Sequence, residues 1–171
     1  MRHCGNDRGA FAIPGIVKIA VALAVLGLLG YDTFFTIATH LKAESDAQNA
    51  AYAASQAWFN ADGSDKSANT AFQAALVYLA GNQPADCRNE LTAEATLSPP
   101  GDIPLGCDYL CTGASNQAAE CGNSGEFTVD QDGTVHLVIR RQAKTLLFGH
   151  LGFMHSLLVA YEHGDANQEE D

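Results

Sequence analysis

An apolar run near the amino terminus constrains this chain more than any other feature of its sequence. The run covers residues 13–30 (IPGIVKIAVALAVLGLLG) and follows a short leader that carries Arg2 and Arg8. A helix needs roughly 20 apolar residues to cross a hydrocarbon core that is ~30 Å thick. The small-residue cleavage pattern of a secretion signal does not follow the run. The sequence therefore predicts a retained anchor over residues 10–38, after a leader of residues 1–9.

Charged residues that flank the run predict its orientation. Arg2, Arg8 and Lys18 lie toward its amino-terminal end, and the positive-inside rule places that end in the cytoplasm. Residues 39–161 are then expected to form one extracellular domain of a single-pass protein of the cell membrane. Lys18 can extend toward the inner headgroups, and Asp32 is expected at the outer interface. The alternative for Lys18 is a salt bridge to the helix of a neighbouring subunit.

The external part of the chain is strongly acidic. From Asp32 onward the sequence holds 19 acidic and 6 basic residues, which argues against nucleic acid and against anionic headgroups as partners. Residues 162–171 hold five of these acids and are predicted to form a disordered, solvated tail.

Cysteine positions predict how the external domain is braced. Cys4 stands alone in the leader, and the other four lie in a Pro- and Gly-rich insertion over residues 83–125. These four are Cys87, Cys107, Cys111 and Cys121. An even number in an oxidising compartment predicts two disulfides, and the sequence leaves all three pairings open. The alternative is a zinc site that uses the spacing of Cys107 and Cys111 with His136, His150, His155 or His163.

Helical character continues beyond the anchor. The sequence has no Pro and no Gly between Tyr31 and Asn60, which predicts one long helix from about Ile16 to Phe59. Small residues recur at helical spacing in its outer half, and the candidate packing residues are Ala47, Ala50, Ala54 and Ala57. Small side chains let a partner approach closely. That partner is either the rest of this domain or the same helix of a neighbouring subunit.

The remaining elements predict an antiparallel sheet and a second helix. Residues 67–80 have a serine cap and an apolar face, and residues 126–129 and 134–140 flank the turn of a hairpin. A strand near 91–97, an apolar turn at 145–152 and a last strand near 157–161 complete the prediction. The predicted fold class is α+β, with a long transmembrane helix that continues into a small external domain.

No arrangement of residues in the sequence indicates catalysis. Residues 122–125 place one serine between glycines, which is typical of a turn rather than of a nucleophile with its partners. The candidates for an acid/base or metal site show no recurring ligand spacing: His136, His150, His155, Asp130 and Asp132. We therefore predict a protein without catalytic residues, metal or cofactor.

Six segments, in order along the chain, resemble one known family. They are residues 7–14, 46–54, 71–80, 133–139, 145–153 and 158–160. They are similar to the leader, the two alanine-rich helices and the closing strand, turn and strand of TadE/TadG-like proteins. These proteins are associated with the tight-adherence (Flp-type) pili of high-GC Gram-positive bacteria. The resemblance implies a pilin-like fold.

The resemblance also implies a function in assembly. It implies a minor pilin-like or accessory subunit of a Flp-type pilus or a related secretion machine, acting through helix packing and surface display. Expected partners are the membrane, proteins of that assembly and other copies of the chain. Prepilin-like cleavage would fall between Gly9 and Ala10, and Pro14 stands where such precursors carry a Glu. The alternative is a monomeric, membrane-tethered extracellular binding domain with a disulfide-braced recognition loop.

Overall fold

The structure is a computed structural model of the chain, and it describes residues 12–84, 87, 105–112, 121, 127–151 and 157–167. Two helices and a four-stranded antiparallel sheet make an α+β fold. The helices are α1 (Ala12–Asn60) and α2 (Ala68–Asn82). The strands are β1 (Asp108–Cys111), β2 (Thr128–Val129), β3 (Val135–Gln142) and β4 (Val159–Ala166). Short 3-10 turns occur at Gly63–Asp65 and Phe148–His150.

Helix α1 dominates the shape of the molecule. It contains 49 residues, which corresponds to a length of about 74 Å at a helical rise of ~1.5 Å per residue. The predicted continuity is confirmed, because the helix runs without a break from the apolar run through the alanine-rich outer half. The outer half packs against α2, β3 and β4.

Helix α2 begins where the sequence predicted. Ser67 is the N-cap, and its hydroxyl accepts a hydrogen bond from the backbone N–H of Thr70 at 3.3 Å. This bond satisfies one of the free N–H groups of the first turn. The buried face of the helix consists of Ala71, Ala75, Leu76 and Leu79. These side chains join the core between the helices and the sheet.

Strand β3 lies at the centre of the sheet. All eight of its residues pair with β4 on one edge. On the other edge β1 pairs with residues 138–141 and β2 with residues 135–136, so these two short strands lie end to end. The β2–β3 hairpin is confirmed, and two turn bonds close it: Asp130 N–H to Thr134 C=O at 2.8 Å and Gly133 N–H to Asp130 C=O at 3.0 Å.

The sheet differs from the prediction in two places. The insertion at 83–125 supplies β1 as an edge strand, which the sequence did not predict at this position. The tail does not begin at Glu162, because β4 extends through Ala166 and pairs with β3 over residues 162–166. Backbone pairing with a full-length central strand outweighs the acidic composition of this segment. The strand predicted near 91–97 lies outside the described residues.

Glycine allows β4 to approach α1 closely. At Gly164 a Cβ atom would overlap the backbone carbonyl of Ala47, so only a residue without a side chain fits at this crossing. The core below the crossing is formed by alanines of α1 and by Val135, Leu137 and Ile139, the alternate residues of β3 that face the helices. The opposite face of β3 carries Val138, which packs with the second cluster of Tyr109, Cys111 and Cys121.

Candidate functional site

The inner half of α1 is exposed on all sides. We call residues 15–31 the anchor segment; each of them is exposed except Leu29, which is partly exposed. Most of its side chains are Leu, Ile, Val and Ala, and Lys18 is its one charged residue. The helix is long and apolar enough to cross a membrane, judged by length and composition. The domain leaves this surface uncovered.

Aromatic side chains mark the outer end of the anchor segment. Tyr31 and Phe35 lie with ring centroids 4.3 Å apart, and Phe34 meets Phe35 edge to face at 5.7 Å. All three rings are exposed. Aromatic side chains at this position are typical of a membrane–water interface.

Asp32, which the sequence predicted at the outer membrane interface, is not exposed to solvent in the structure. Its side chain is fully buried, and its carboxylate accepts three backbone hydrogen bonds from the loop after β3. The donors are the N–H groups of Leu146, at 2.8 Å, and of Leu147 and Phe148, at 2.7 Å each. Hydrogen bonds to an ionised acceptor are stronger than neutral ones. Asp32 therefore fixes residues 146–148 against α1.

An apolar groove lies beside this contact. It measures about 370 Å³ and runs between Thr33, Ile37 and His40 of α1 and Phe148, Leu157 and Leu158 of the loop. His40, at its outer end, pairs with Glu162 of β4 at 2.9 Å. The groove and the Asp32 contact together form the junction between the anchor segment and the domain.

The candidate packing alanines face the interior of their own domain. Ala47, Ala50 and Ala54 are completely buried, and Ala57 is partly buried. We call residues 43–58 the packed segment; β3, β4 and α2 cover its alanine face. Of the two partners left open by the sequence, the structure places the rest of the domain on this face.

A buried ionic cluster ties the packed segment to the sheet. The Arg141 guanidinium of β3 lies 2.8 Å from the Asp108 carboxylate of β1 and 3.4 Å from the Asp46 carboxylate of α1. The ammonium group of Lys42, one helical turn before Asp46, donates to the Asp46 carboxylate at 2.7 Å. Gln83 donates from its side-chain amide to Asp108 and accepts from the Asp108 backbone N–H at 3.1 Å.

The two cations of this cluster are shared unequally between its two carboxylates, because Asp46 contacts both Lys42 and Arg141, whereas Asp108 contacts Arg141. Burial raises the pKa of Asp108 to about 7, the positive charge of Arg141 opposes that rise, and the nearby Asp46 carboxylate adds to it. Because an ion pair in a low-dielectric site depends on complete pairing, the cluster is sensitive to the loss of any one member. This ionic cluster was not predicted from the sequence. The only signal for it was the presence of charged residues on elements that also carry buried apolar residues.

The histidine candidates do not converge. His136 lies on the surface with Asp165 at 2.6 Å and Asp130 at 3.4 Å. The hydrogen bond to Asp165 raises the pKa of His136 above its ordinary value, with Asp130 adding to the effect and partial desolvation opposing it. His150 and His163 are exposed elsewhere, and His155 lies outside the described residues. Within the described part of the chain, no group of three His, Cys, Asp or Glu side chains is arranged to hold a metal.

The four cysteines that the sequence predicted to be paired are all in disulfides. Cys87 bonds to Cys107, and Cys111 bonds to Cys121. They are therefore not thiolate ligands, which removes the zinc alternative that used the Cys107 and Cys111 spacing. The first bridge joins the segment after α2 to the start of β1, next to the ionic cluster. The second joins the end of β1 to Cys121, which packs on the far face of the sheet.

Several sequence candidates lie outside the described residues. They are Cys4, the cleavage positions Gly9 and Ala10, and the serine turn at 122–125. Comparison of the chain with protein-family models, with curated proteins and with solved structures finds no match.

Proposed function

We propose that the protein is a single-pass membrane protein with its amino terminus inside and its disulfide-bonded domain outside. In this proposal it acts as a minor pilin-like or accessory subunit of a Flp-type (TadE/TadG-like) pilus or a related assembly machine. The TadE/TadG-like resemblance motivates the choice of machine. The two disulfides support an oxidising location for the domain.

One observation carries the proposal: α1 is continuous, yet only its outer half is covered. The packed segment presents its alanines to its own sheet, whereas the anchor segment presents apolar side chains in every direction. A neighbouring helix therefore has the anchor segment available for packing. Because one unbroken helix links both segments, contacts made by the anchor segment determine where the external domain stands. That coupling is what a subunit of an ordered assembly requires.

Membrane topology is the first test. In intact cells, an external protease is expected to remove epitopes placed after Asp62, while a tag at Met1 stays protected until the membrane is permeabilised. If the domain resists the protease until the membrane is permeabilised, this result would overturn the orientation and the extracellular location together.

Self-association in the bilayer is the second arm of the test. In a Cys4→Ser background, single cysteines at Val21, Val25 and Leu28 lie on one helical face, and cysteines at Leu23 and Leu26 lie on the opposite face. Lateral helix packing predicts disulfide cross-linking of one face and little of the other. If all of these cysteines react equally with a thiol label and none of them forms a cross-link, the result would favour the tethered monomeric binding domain.

A further inference from the structure

The loop after β3 carries apolar side chains that the domain leaves uncovered. Leu146 and Leu157 are 59% and 57% exposed. Leu146 lies directly beside α1, because its backbone N–H is one of the three that donate to Asp32. Three bonds to one carboxylate leave this part of the loop little freedom to move along the helix. The loop is therefore fixed at the height of Asp32.

That height coincides with the outer end of the anchor segment. The distance along the helix from Gly15 to Asp32 is about 26 Å, close to the ~30 Å thickness of a hydrocarbon core. If the anchor segment spans the membrane as proposed above, the loop lies where the hydrocarbon core gives way to headgroups. The inference made here rests on that proposed function.

Exposed apolar side chains occur on both sides of α1 at this height. Phe34 and Ile37 are 66% and 55% exposed, and at 3.6 residues per turn they point roughly 200° and 140° away from Asp32. Leu146 lies on the Asp32 side. We call Phe34, Ile37, Leu146 and Leu157 the apolar collar. One protein partner would cover one side of the helix, whereas a lipid plane meets every side at a single height.

Charge also separates the collar from the rest of the domain. The chain contains 20 acidic residues, yet none occurs from Gly133 to Tyr161, the stretch that includes the loop. Asp32, the acid that contacts the collar, is fully buried beneath it. Lys144 is exposed at the start of the loop. The repulsion that keeps the acidic domain away from anionic headgroups is therefore weak at this place.

We propose that the apolar collar rests in the outer leaflet of the phospholipid bilayer, at the boundary between headgroups and acyl chains. The groove between Ile37 and Leu157 lies at the same height and adds apolar surface to this contact. Asp32 positions the loop for it. The second point of membrane contact limits the tilt of the domain around the anchor, so that the domain stands in a defined orientation on the membrane.

Depth-dependent fluorescence quenching tests this inference on the full chain. In a Cys4→Ser background, single cysteines replace Leu146, Leu157, Leu23 or Leu41 and carry an environment-sensitive NBD label. The proteins are reconstituted in phosphatidylcholine vesicles with one-third phosphatidylglycerol and with nitroxide lipids, in one series labelled near the headgroup end of the acyl chain, to probe residues 146 and 157, and in another near its methyl end, to probe Leu23. Leu23 reports on the anchor segment. Leu41 is the matched control, since it is a leucine of similar exposure on the same helix, 62%.

The expected result is a blue-shifted and lipid-quenched label at Leu146 and Leu157, and an aqueous, unquenched label at Leu41, which lies about 13.5 Å farther along α1 than Asp32. If the label at Leu23 is quenched but the labels at 146 and 157 behave like the one at 41, the collar is overturned and the anchor is left intact. Blue-shifted labels at 146 and 157 that the nitroxide lipid does not quench would assign the collar to a protein partner instead. An unquenched label at Leu23 would reject the membrane anchor itself and the collar with it.

Discussion

The two halves of α1 distribute their side chains in opposite ways. In the anchor segment the large Ile and Val side chains and all Leu side chains but Leu29 are exposed, and in the packed segment five of the seven small alanines are completely buried. A helix of a water-soluble domain buries its large apolar side chains instead, because burial of apolar area stabilises the folded state by about 25 cal/mol per Å². The comparison teaches that side-chain size, rather than hydrophobicity alone, separates a helix surface suited to lipid from one suited to a close protein contact.

Small side chains in the packed segment have a specific geometric use. Alanine brings the backbone of α1 near the sheet, and at Gly164 the approach is so close that even a methyl group does not fit. Such a contact gains dispersion energy from many backbone atoms rather than from a few large side chains. Among the residues that the structure describes, the anchor segment has no comparable contact, so its alanines and glycines are not constrained in this way.

Two buried carboxylates on the same helix show a second difference. Asp32, at the junction, is satisfied by three backbone N–H groups. Asp46, about four helical turns farther along α1, pairs with Lys42 and shares Arg141 with another carboxylate, Asp108. The first arrangement fixes a loop in place. The second places two acids beside Arg141, and the raised pKa of Asp108 makes this cluster dependent on pH.

Substitution of Gly164 by Val is expected to have the largest effect. The added side chain collides with the Ala47 backbone, which cannot move without bending α1 or breaking the β3–β4 ladder. Overpacking costs typically 1–3 kcal/mol and occasionally more, and we expect about 3 kcal/mol or more here. Denaturant unfolding of the full chain in detergent, followed by the fluorescence of the single tryptophan, Trp58, measures the change.

The matched control is Gly81→Ala. A Cβ at Gly81 would meet nothing within 4 Å, and replacement of Gly by Ala in a helix stabilises by roughly 0.5–1 kcal/mol. The two glycine substitutions should therefore change the free energy of unfolding with opposite sign. A Gly164 variant with the stability of the native chain would show that β4 does not cross α1 at this distance.

Replacement of Ala50 by Leu tests the packed segment directly. The alanine is completely buried among α2 and the sheet, so a larger side chain is expected to lower the free energy of unfolding by about 1–3 kcal/mol. Ala22→Leu is the control, because Ala22 is exposed in the anchor segment. It should leave the domain's stability unchanged. If Ala50→Leu instead prevents self-association without a loss of stability, the alanine face belongs to a contact between subunits.

The sequence predicted the elements whose pattern is local. The 49-residue α1 follows from an unbroken helical pattern, the start of α2 from the Ser67 cap, and the β2–β3 hairpin from alternation around a turn. In each case the signal and the structure it specifies lie within a few residues. The even cysteine count predicted two disulfides but not their pairing, which depends on where β1 lies beside β3.

Features that depend on distant residues could not be read in this way. The contact of Asp32 with residues 146–148 joins positions more than 110 residues apart, and the pattern around Asp32 indicates only an interfacial acid. Likewise, the length of β4 depends on pairing with β3 and not on its own acidic composition. The alanine face was recognised as a packing surface, but composition does not say whether the partner is the same chain.

The remaining prediction concerns pH, and it sharpens the comparison of the two carboxylates. The pKa of Asp108 is raised to about 7, chiefly by burial, whereas an unfolded Asp titrates near pKa 3.9. Between these values the folded state holds a proton that the unfolded state has lost. The contribution of Asp108 to the free energy of unfolding is therefore greatest below about pH 4 and falls as the pH rises to about 7, with a slope below ~1.4 kcal/mol per pH unit.

Substitution of Asp108 by Asn isolates this contribution. The amide cannot titrate, so the slope between pH 4 and pH 7 should become flatter. His136→Gln, at an exposed pair on the same sheet, is the control: it should leave the slope between pH 4 and about pH 6 nearly unchanged and act only near and above pH 6.5, because the pKa of His136 is raised. Unfolding curves of the three proteins at intervals of half a pH unit provide the measurement. An unchanged slope in the Asn variant would mean that the proton retained by the folded state is not held at Asp108. The pH dependence would then arise from other groups, and the ionic cluster around Arg141 would not distinguish the outer part of α1 from the junction at Asp32.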